Sequence, residues 1–424
     1  MVAHGTMIRT RLLRSIPIVV LATAVTSLLN MGESRANAAT LSGSLTYETF
    51  GYPDSGTRGS DWENFFELLL RGSGRLNTRL TYHFETRLVA DDADFTADFY
   101  SFRNDDLHRS YLSLISAALD CQVTKRLRAS LGRQVLNWSI IDEIKPAALM
   151  LWREESDIFR RTDHGVDALS LHYSMDNAFV ELAVVPIAFT PSTLPQGRWN
   201  PMPSGMPLVR NLPPVRGDET QAGVRLGLSI GDLDATIIGY EGRSTLPVFQ
   251  LAMNGEDFTP EIDANYPRLH AAGFTASYPV GEGVLLRTEA VYFASPDNGV
   301  EDFLQAVAGA EYSYGDWRFI INYLQADKIV RDPAAILAEG ERRYFQEFLF
   351  GEARYDAGGR LRVRFRGGYD FAGEFAVVQP EVSLQLWGEL EIAMVAEVIT
   401  SGRFSYFDVI RNEDRVGTRL RYYF

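Results

Sequence analysis

Residues 415–424 read R-V-G-T-R-L-R-Y-Y-F. Val416, Thr418, Leu420, Tyr422 and Phe424 fall on one side of an extended chain, and Arg415, Gly417, Arg419 and Arg421 on the other, because successive side chains of a strand point to opposite faces. One face is apolar and the other charged, and the pattern recurs along the whole chain. The oily faces together need a solvent. The sequence assigns that role to lipid, and so predicts an all-β fold, a transmembrane antiparallel outer-membrane β-barrel of about 18 strands, with 16 as the lower count. A soluble β-sandwich array or β-helix would also alternate, but it explains neither the terminal Phe424 nor the loop lengths.

The plainest strand runs from Leu76 to Ala90, with Asn77, Arg79, Thr81, His83, Glu85 and Arg87 on its polar side. A two-residue period held this long cannot serve a helix. Further runs begin at Leu41, Trp62, His108, Lys125, Gly165, Asn177, Glu219, Leu233, Arg268 and Gly283, and seven more lie between Phe303 and Phe424. Tight turns such as Gly231-Asp232, Gly315-Asp316 and Trp387-Gly388 alternate with long links such as Asn137 to His164, Phe189 to Asp218 and Asp327 to Arg343. Short periplasmic turns and long outer loops are the expected asymmetry. Strand-end aromatics, among them Tyr47, Tyr52, Trp62, Trp138, Tyr312, Trp317, Tyr355, Trp387 and Tyr422, are expected to form two interfacial girdles.

The amino terminus carries Arg9, Arg11 and Arg14, then an apolar stretch from Ile16 to Met31, then Ala36-Asn37-Ala38. This is the pattern of a secretory signal peptide, residues 1–38, which leaves 39–424 as a single barrel domain. The chain has 41 basic and 55 acidic residues. Removing Arg9, Arg11, Arg14, Arg35 and Glu33 leaves 37 and 54, a mature net charge of about −17, which speaks against nucleic-acid binding. Cys121 is the only cysteine, so an intramolecular disulfide and a thiolate metal cluster are both excluded.

If the apolar face meets lipid, the opposite face lines the lumen. Arg362, Arg364 and Arg366, with Glu391, Glu397, Arg419 and Arg421 on neighbouring strands and Arg79 and Arg87 near the amino end, are the pore-lining candidates. Inward arginines beside inward carboxylates can bias passage by charge. They can equally form a ladder that satisfies buried charges and stiffens the wall.

Between Asn137 and His164, Ala147 to Leu151 form a run too oily for a loop waving in water. The loop is expected to pack into the barrel mouth and narrow it, with Asp142, Arg153, Glu154, Arg160 and Arg161 as constriction candidates and Arg153, Arg160 and Arg161 facing the solute path. The Phe189 to Asp218 link holds Pro191, Pro195, Pro201, Pro203, Pro207, Pro213 and Pro214, so it is expected to stay out of the sheet as an extended surface lid. Asp91, Asp92, Asp94 and Asp98 read as solvated outer-loop charge, without the glycine-bearing spacing of a calcium loop.

The order Gly132-Arg133-Gln134, Trp138, Asp142, Ile144, Pro146 resembles a segment G-R/K-Q…W…D-x-I-x-P found after an early strand in a poorly characterised family of Gram-negative porin-like barrels. The resemblance extends through Val166 to the Pro191–Pro195 region, about a sixth of the chain. Ser139 stands where the family has Gly and Lys145 where it has Asn. The resemblance implies an outer-membrane barrel and supplies no substrate.

The expected function is passive passage of small polar or charged solutes through a porin-like outer-membrane channel, with no metal, no cofactor and no enzymatic activity. Asp163-His164 lacks the G-x-S-x-G context of a hydrolase nucleophile, and the six histidines are scattered,. Expected partners are outer-membrane lipid and lipopolysaccharide, the barrel-assembly machinery through the strand ending in Phe424, and further copies in a homotrimer. The alternatives are a barrel that sleeves a partner protein and a channel for hydrophobic compounds.

Overall fold

A computed structural model describes residues 39–424 apart from 54–60, 94, 102–107, 187–189, 201–205, 254–258, 298–301, 327–345, 401–409 and 411–412. The expected signal peptide, Asp94, Pro201 and Pro203 lie outside the described residues. Eighteen antiparallel strands close on themselves. In chain order they are β1 Thr40–Gly51, β2 Trp62–Arg75, β3 Leu80–Asp91, β4 Leu112–Gln122, β5 Leu127–Gln134 and β6 Val166–Ser174. Next come β7 Ala178–Val185, β8 Gln221–Ile230, β9 Leu233–Arg243, β10 Arg268–Val280, β11 Val284–Ala294 and β12 Phe303–Tyr314. The last six are β13 Trp317–Ala326, β14 Glu347–Ala357, β15 Leu361–Asp370, β16 Phe375–Trp387, β17 Leu390–Thr400 and β18 Arg415–Tyr423.

Closure is made by β1 and β18, with Ser44 opposite Tyr423 and Gly51 opposite Val416. Phe424 extends the ladder, donating to and accepting from Gly43 at 3.1 and 2.8 Å. A Cβ on Gly43 would lie 2.7 Å from the Phe424 ring, so the terminal aromatic needs glycine beneath it. Closing the sheet removes every strand edge from the apolar slab, where an unpaired peptide group is costly.

Alternation separates the two faces cleanly. In β9, Ile237 is 66% exposed while Ile238 is 1% exposed. Leu131, Leu182, Phe274, Ile321, Phe365, Val382 and Met394 continue the exposed apolar belt. At the short-turn end Trp317 stacks on Phe319 and packs on Tyr355. On such a belt Ile237→Arg is expected to cost about 2–4 kcal/mol of folding stability in bilayers, because a guanidinium at mid-depth faces hydrocarbon. A cost near zero in a urea titration into liposomes would place Ile237 in water.

Two girdle assignments change. Tyr52 is buried, donating to Glu63 at 2.6 Å, and Trp138 is buried, donating to Glu181 at 3.0 Å. Both belong to the interior because the polar tip of each ring finds its acceptor in an inward carboxylate, Glu63 or Glu181, rather than in interfacial water,. The predicted strand Leu76–Ala90 begins only at Leu80. Asn77 accepts from the backbone amides of Arg79 and Leu80 at 2.8 and 2.9 Å, an Asx turn that outcompetes the ladder.

The long-loop end is filled. One core joins Trp138, Ala147, Met150 and Trp152 to wall residues Val185, Ile238, Val291 and Phe293. Another joins Phe50, Ile141 and Trp199 to Phe348, Phe375, Val395 and Ile399. A small three-stranded sheet, Leu208–Asn211, Pro260–Asn265 and Val248–Met253, lies beside the mouth.

The proline-rich link therefore differs from expectation. Residues 208–211 lie between Pro207 and Pro213, keep their N–H donors and join that small sheet in parallel. Pro191 to Pro195 are buried, and Trp199 is fully buried against Phe159. A tryptophan of that area cannot be left in water without forfeiting its burial energy.

Candidate functional site

Residues 135–165 leave β5 and cross the lumen. The segment Gly132-Arg133-Gln134 anchors the departure: Gly132 has φ +124°, and a Cβ there would come within 2.3 Å of the Ala117 carbonyl. Arg133 grips Asp167 with two nitrogens at 2.7 and 3.2 Å. The Gln134 amide donates to the Ala168 carbonyl at 2.7 Å.

The crossing ends on β11. Glu289, fully buried, accepts from Ser139 Oγ at 2.8 Å and from the backbone amides of Ile140 and Ala147 at 3.1 and 2.7 Å. Asp142 reaches Arg287 at 3.4 Å and Arg318 at 3.9 Å. Glu143 lies 3.3 Å from Arg366 on β15. Pro146 sits within the buried run. The oily segment thus packs inside the barrel, as its composition predicts.

The return limb is locked by arginines. Arg160 bonds Glu48 at 2.6 Å, Glu63 at 2.8 Å and Asp157 at 3.0 Å, with Phe65 4.4 Å beneath its guanidinium. Arg415 forks onto Asp157 at 2.8 and 3.1 Å and also bonds Glu397. Arg419 bonds Glu48 and, at 3.0 Å, Glu381, which also takes Arg364 at 2.8 Å. A chain of alternating charge runs from Arg364 to Glu397 through wall and loop.

A second lattice lies beside the first, on β2 and β3, with the Phe65 ring shared between Arg160 and Arg109 at 4.4 and 5.0 Å. Glu154 accepts from Arg87 at 3.0 Å and from Arg109 at 3.2 Å; Arg87 continues to Glu67 at 2.5 Å and Arg109 to Asp91 at 2.9 Å. Asp91 is therefore a buried anchor rather than solvated charge, because Arg109 is packed against it.

In the loop, burial alone would raise the carboxyl pKa values. Arg415 and Arg160 instead bring Asp157 down to about 2, and Arg109 and Arg87 bring Glu154 to about 2.

Several candidates stand where expected. Arg364, Arg366, Glu391, Glu397, Arg419 and Arg421 lie on the inward face, opposite exposed Val363, Phe365, Ile392 and Leu420. Arg421 bonds Thr46 at 3.1 Å. Toward the short turns the lumen opens: the side chains of Arg71 and Arg362 are 58% and 47% exposed, held by Glu85 and Asp356.

Four candidates are corrected. Arg87 and Glu154, with side chains only 4% and 2% exposed, are locked together in the second lattice and face no open path. Arg79 lies in the Asn77 turn, exposed, outside any strand. Arg160 faces no open path, because three carboxylates and a ring enclose it. Sequence reading missed Arg415, Glu48, Glu63, Asp157, Arg109 and Glu289 as functional residues. The available signal for Glu289 was a carboxylate at mid-strand on an inward face, which demands a partner.

Arg153 and Arg161, by contrast, border two cavities, as does Lys145. One, of about 160 Å³, lies between the loop and the wall at Tyr240, Arg243 and Phe293. The other, of about 340 Å³, lies between the loop and Phe348, Phe350 and Arg366.

His164 is stacked on Trp152 at 4.1 Å, and neither ring nitrogen has a hydrogen-bond partner among the described residues. Burial, aided by Arg87 and Arg133 and opposed by Glu154 and Asp163, lowers its pKa to about 3. The docked loop keeps His164 neutral, whereas a freed loop protonates it below about pH 6.5. Docking therefore weakens as pH falls from about 6.5 toward 3. At pH 5 the loss is at most about 2 kcal/mol. Asp157 and Glu154 still contribute fully there, since their loss begins only below their unfolded values of 3.8 and 4.5. Current through the wild type at pH 5 is expected to show more frequent conductance steps than at pH 7.5. H164F should remove that difference, and an unchanged difference would dismiss His164 as its source.

Among the described residues, no group of three or more His, Cys, Asp or Glu side chains has metal-binding geometry. No family model matches the chain, and no curated protein matches it. Solved structures that resemble it include a variant of the Rh. blastica porin, 12% identical, covering 91% of this chain and 100% of that one, with a TM-score of 0.44. Also similar are a loop-deleted OmpT, an outer membrane protein of Vibrio cholerae (13%, 92% and 100%, TM-score 0.43), and Salmonella typhi OmpF in complex with daunomycin (11%, 92% and 98%, TM-score 0.44).

Proposed function

We propose that this chain is a narrow, non-enzymatic channel of the bacterial outer membrane that passes small polar or charged solutes. The observation that carries the reading is the loop of residues 135–165 fastened inside a closed barrel by Glu289, Arg415 and Arg160, with cavities of about 160 and 340 Å³ left beside it. A barrel of 18 strands is wide enough for an aqueous lumen, and the folded-in loop reduces it to those spaces. Arg153 and Arg161, on the cavity walls, are the loop residues that meet the solute. Arg362, Arg364 and Arg366 form an arginine row leading toward them from the short-turn side. The space that a threaded partner chain needs is taken by residues 135–165 and 190–200, which disfavours a sleeve.

The row makes a selectivity prediction. Replacing Arg362, Arg364 and Arg366 together by alanine frees Asp356 and Glu381 from part of their charge pairing. The reversal potential under a KCl gradient is expected to move toward cation preference. An unmoved potential would take these arginines off the solute path.

A further inference from the structure

We propose that the cavity between the inserted loop and the wall at Phe348, Phe350 and Arg366 is a binding station for small organic acids bearing one carboxylate on an apolar body about the size of a single ring. The inference rests on the channel reading and specifies what such a channel favours.

The cavity of about 340 Å³ has two unlike sides, within the size range of pockets that hold small organic ligands. Phe159, Phe348 and Phe350 form an apolar side. Lys145, Arg153, Arg161 and Arg366 form a cationic one. Three carboxylates also line it, Asp142, Glu143 and Asp163, so four cations face three anions.

The distribution matters more than the sum. Asp163 alone serves both Lys145, at 2.5 Å, and Arg153, at 3.0 Å. Asp142 is committed to Arg287 and Arg318, which do not line this cavity. Arg366 bonds the neutral Gln379 and reaches Glu143 only at 3.3 Å, with that glutamate 40% exposed.

Arg161 lies 4.0 Å from Glu155, so the positive charge left over is that of Lys145 and Arg153, which share the single carboxylate of Asp163. Arginine forks suit a carboxylate, while the phenylalanine side rewards an apolar body and gives nothing to a hydrated inorganic ion. An organic cation would find the right surface for its body and the wrong charge for its head. Lys145, Arg153 and Arg161 also border the 160 Å³ cavity, so an acid released from one space meets the same cations in the next.

The test is equilibrium binding of phenylacetate, acetate and benzylammonium to the purified full chain in detergent, with R161Q and R366Q alongside. Phenylacetate is expected to bind at least tenfold more tightly than either of the others, and R161Q to lose at least fivefold of that affinity. R161Q guards against misfolding of R366Q, because Arg161 is about a third exposed and 4.0 Å from Glu155. Equal affinities for the three probes, or no loss in either variant, would overturn the inference. Bilayer current on the same preparation separates the two readings. A conducting chain without phenylacetate preference refutes only the station, and a silent chain that still prefers phenylacetate refutes only the channel.

Discussion

Arg415→Ala is expected to destabilise the barrel by about 3–5 kcal/mol, the cost of leaving buried carboxylates without their cation. Arg415 has no exposed surface; it holds Asp157 through two nitrogens and Glu397 through a third, with Phe50 4.3 Å below the guanidinium. Removing it strands one charge on the loop and one on the wall. Asp157, at the centre of the return limb, then keeps Arg160 as its one cation among the described residues, beside the Phe159 amide. Arg415→Lys should recover less than half of the loss, since an ammonium is a point donor and cannot reproduce the fork. The exposed pair Arg126–Asp176, with side chains 55% and 91% exposed, is the control, and R126A should cost less than about 1 kcal/mol. Denaturant titrations of the three variants in lipid vesicles decide the matter. An R415A cost no larger than that of R126A would mean the lattice is decorative.

Glu289→Ala should release the opposite end of the loop and raise single-channel conductance several-fold. Here no arginine is lost: the carboxylate accepts only neutral donors, the Ser139 hydroxyl and the amides of Ile140 and Ala147. Each buried donor left without an acceptor costs about 1–3 kcal/mol. The loop can recover that energy only by moving those amides to water. E289Q keeps one acceptor oxygen and should lie between wild type and alanine. Conductance in E289A equal to wild type would show that the loop does not obstruct the path.

These two anchors also mark what can be read from the sequence. The 18 strands were legible because a two-residue period is a local property, visible in any ten-residue window. The inward destination of residues 147–151 was legible too, because Ala147, Leu149, Met150 and Leu151 have no business in water. What stayed hidden was the pairing of charges across great separations.

Arg415 finds Asp157 at 258 residues' distance, and Ser139 finds Glu289 at 150. No periodicity connects them. The same blindness makes Arg160, outwardly a constriction candidate, indistinguishable from Arg161, although one is enclosed by carboxylates and the other borders both cavities. Arg79 fails for a different reason: a single asparagine side chain two residues earlier turned the backbone before the strand began. The proline link fails because proline count reports missing donors, not where Trp199 must go.

The most direct test of the whole account is current through a planar bilayer that carries the folded wild-type chain. Small, voltage-proportional unitary steps with a measurable preference between anions and cations are expected. Persistent electrical silence from bilayers in which the barrel is demonstrably inserted would contradict it.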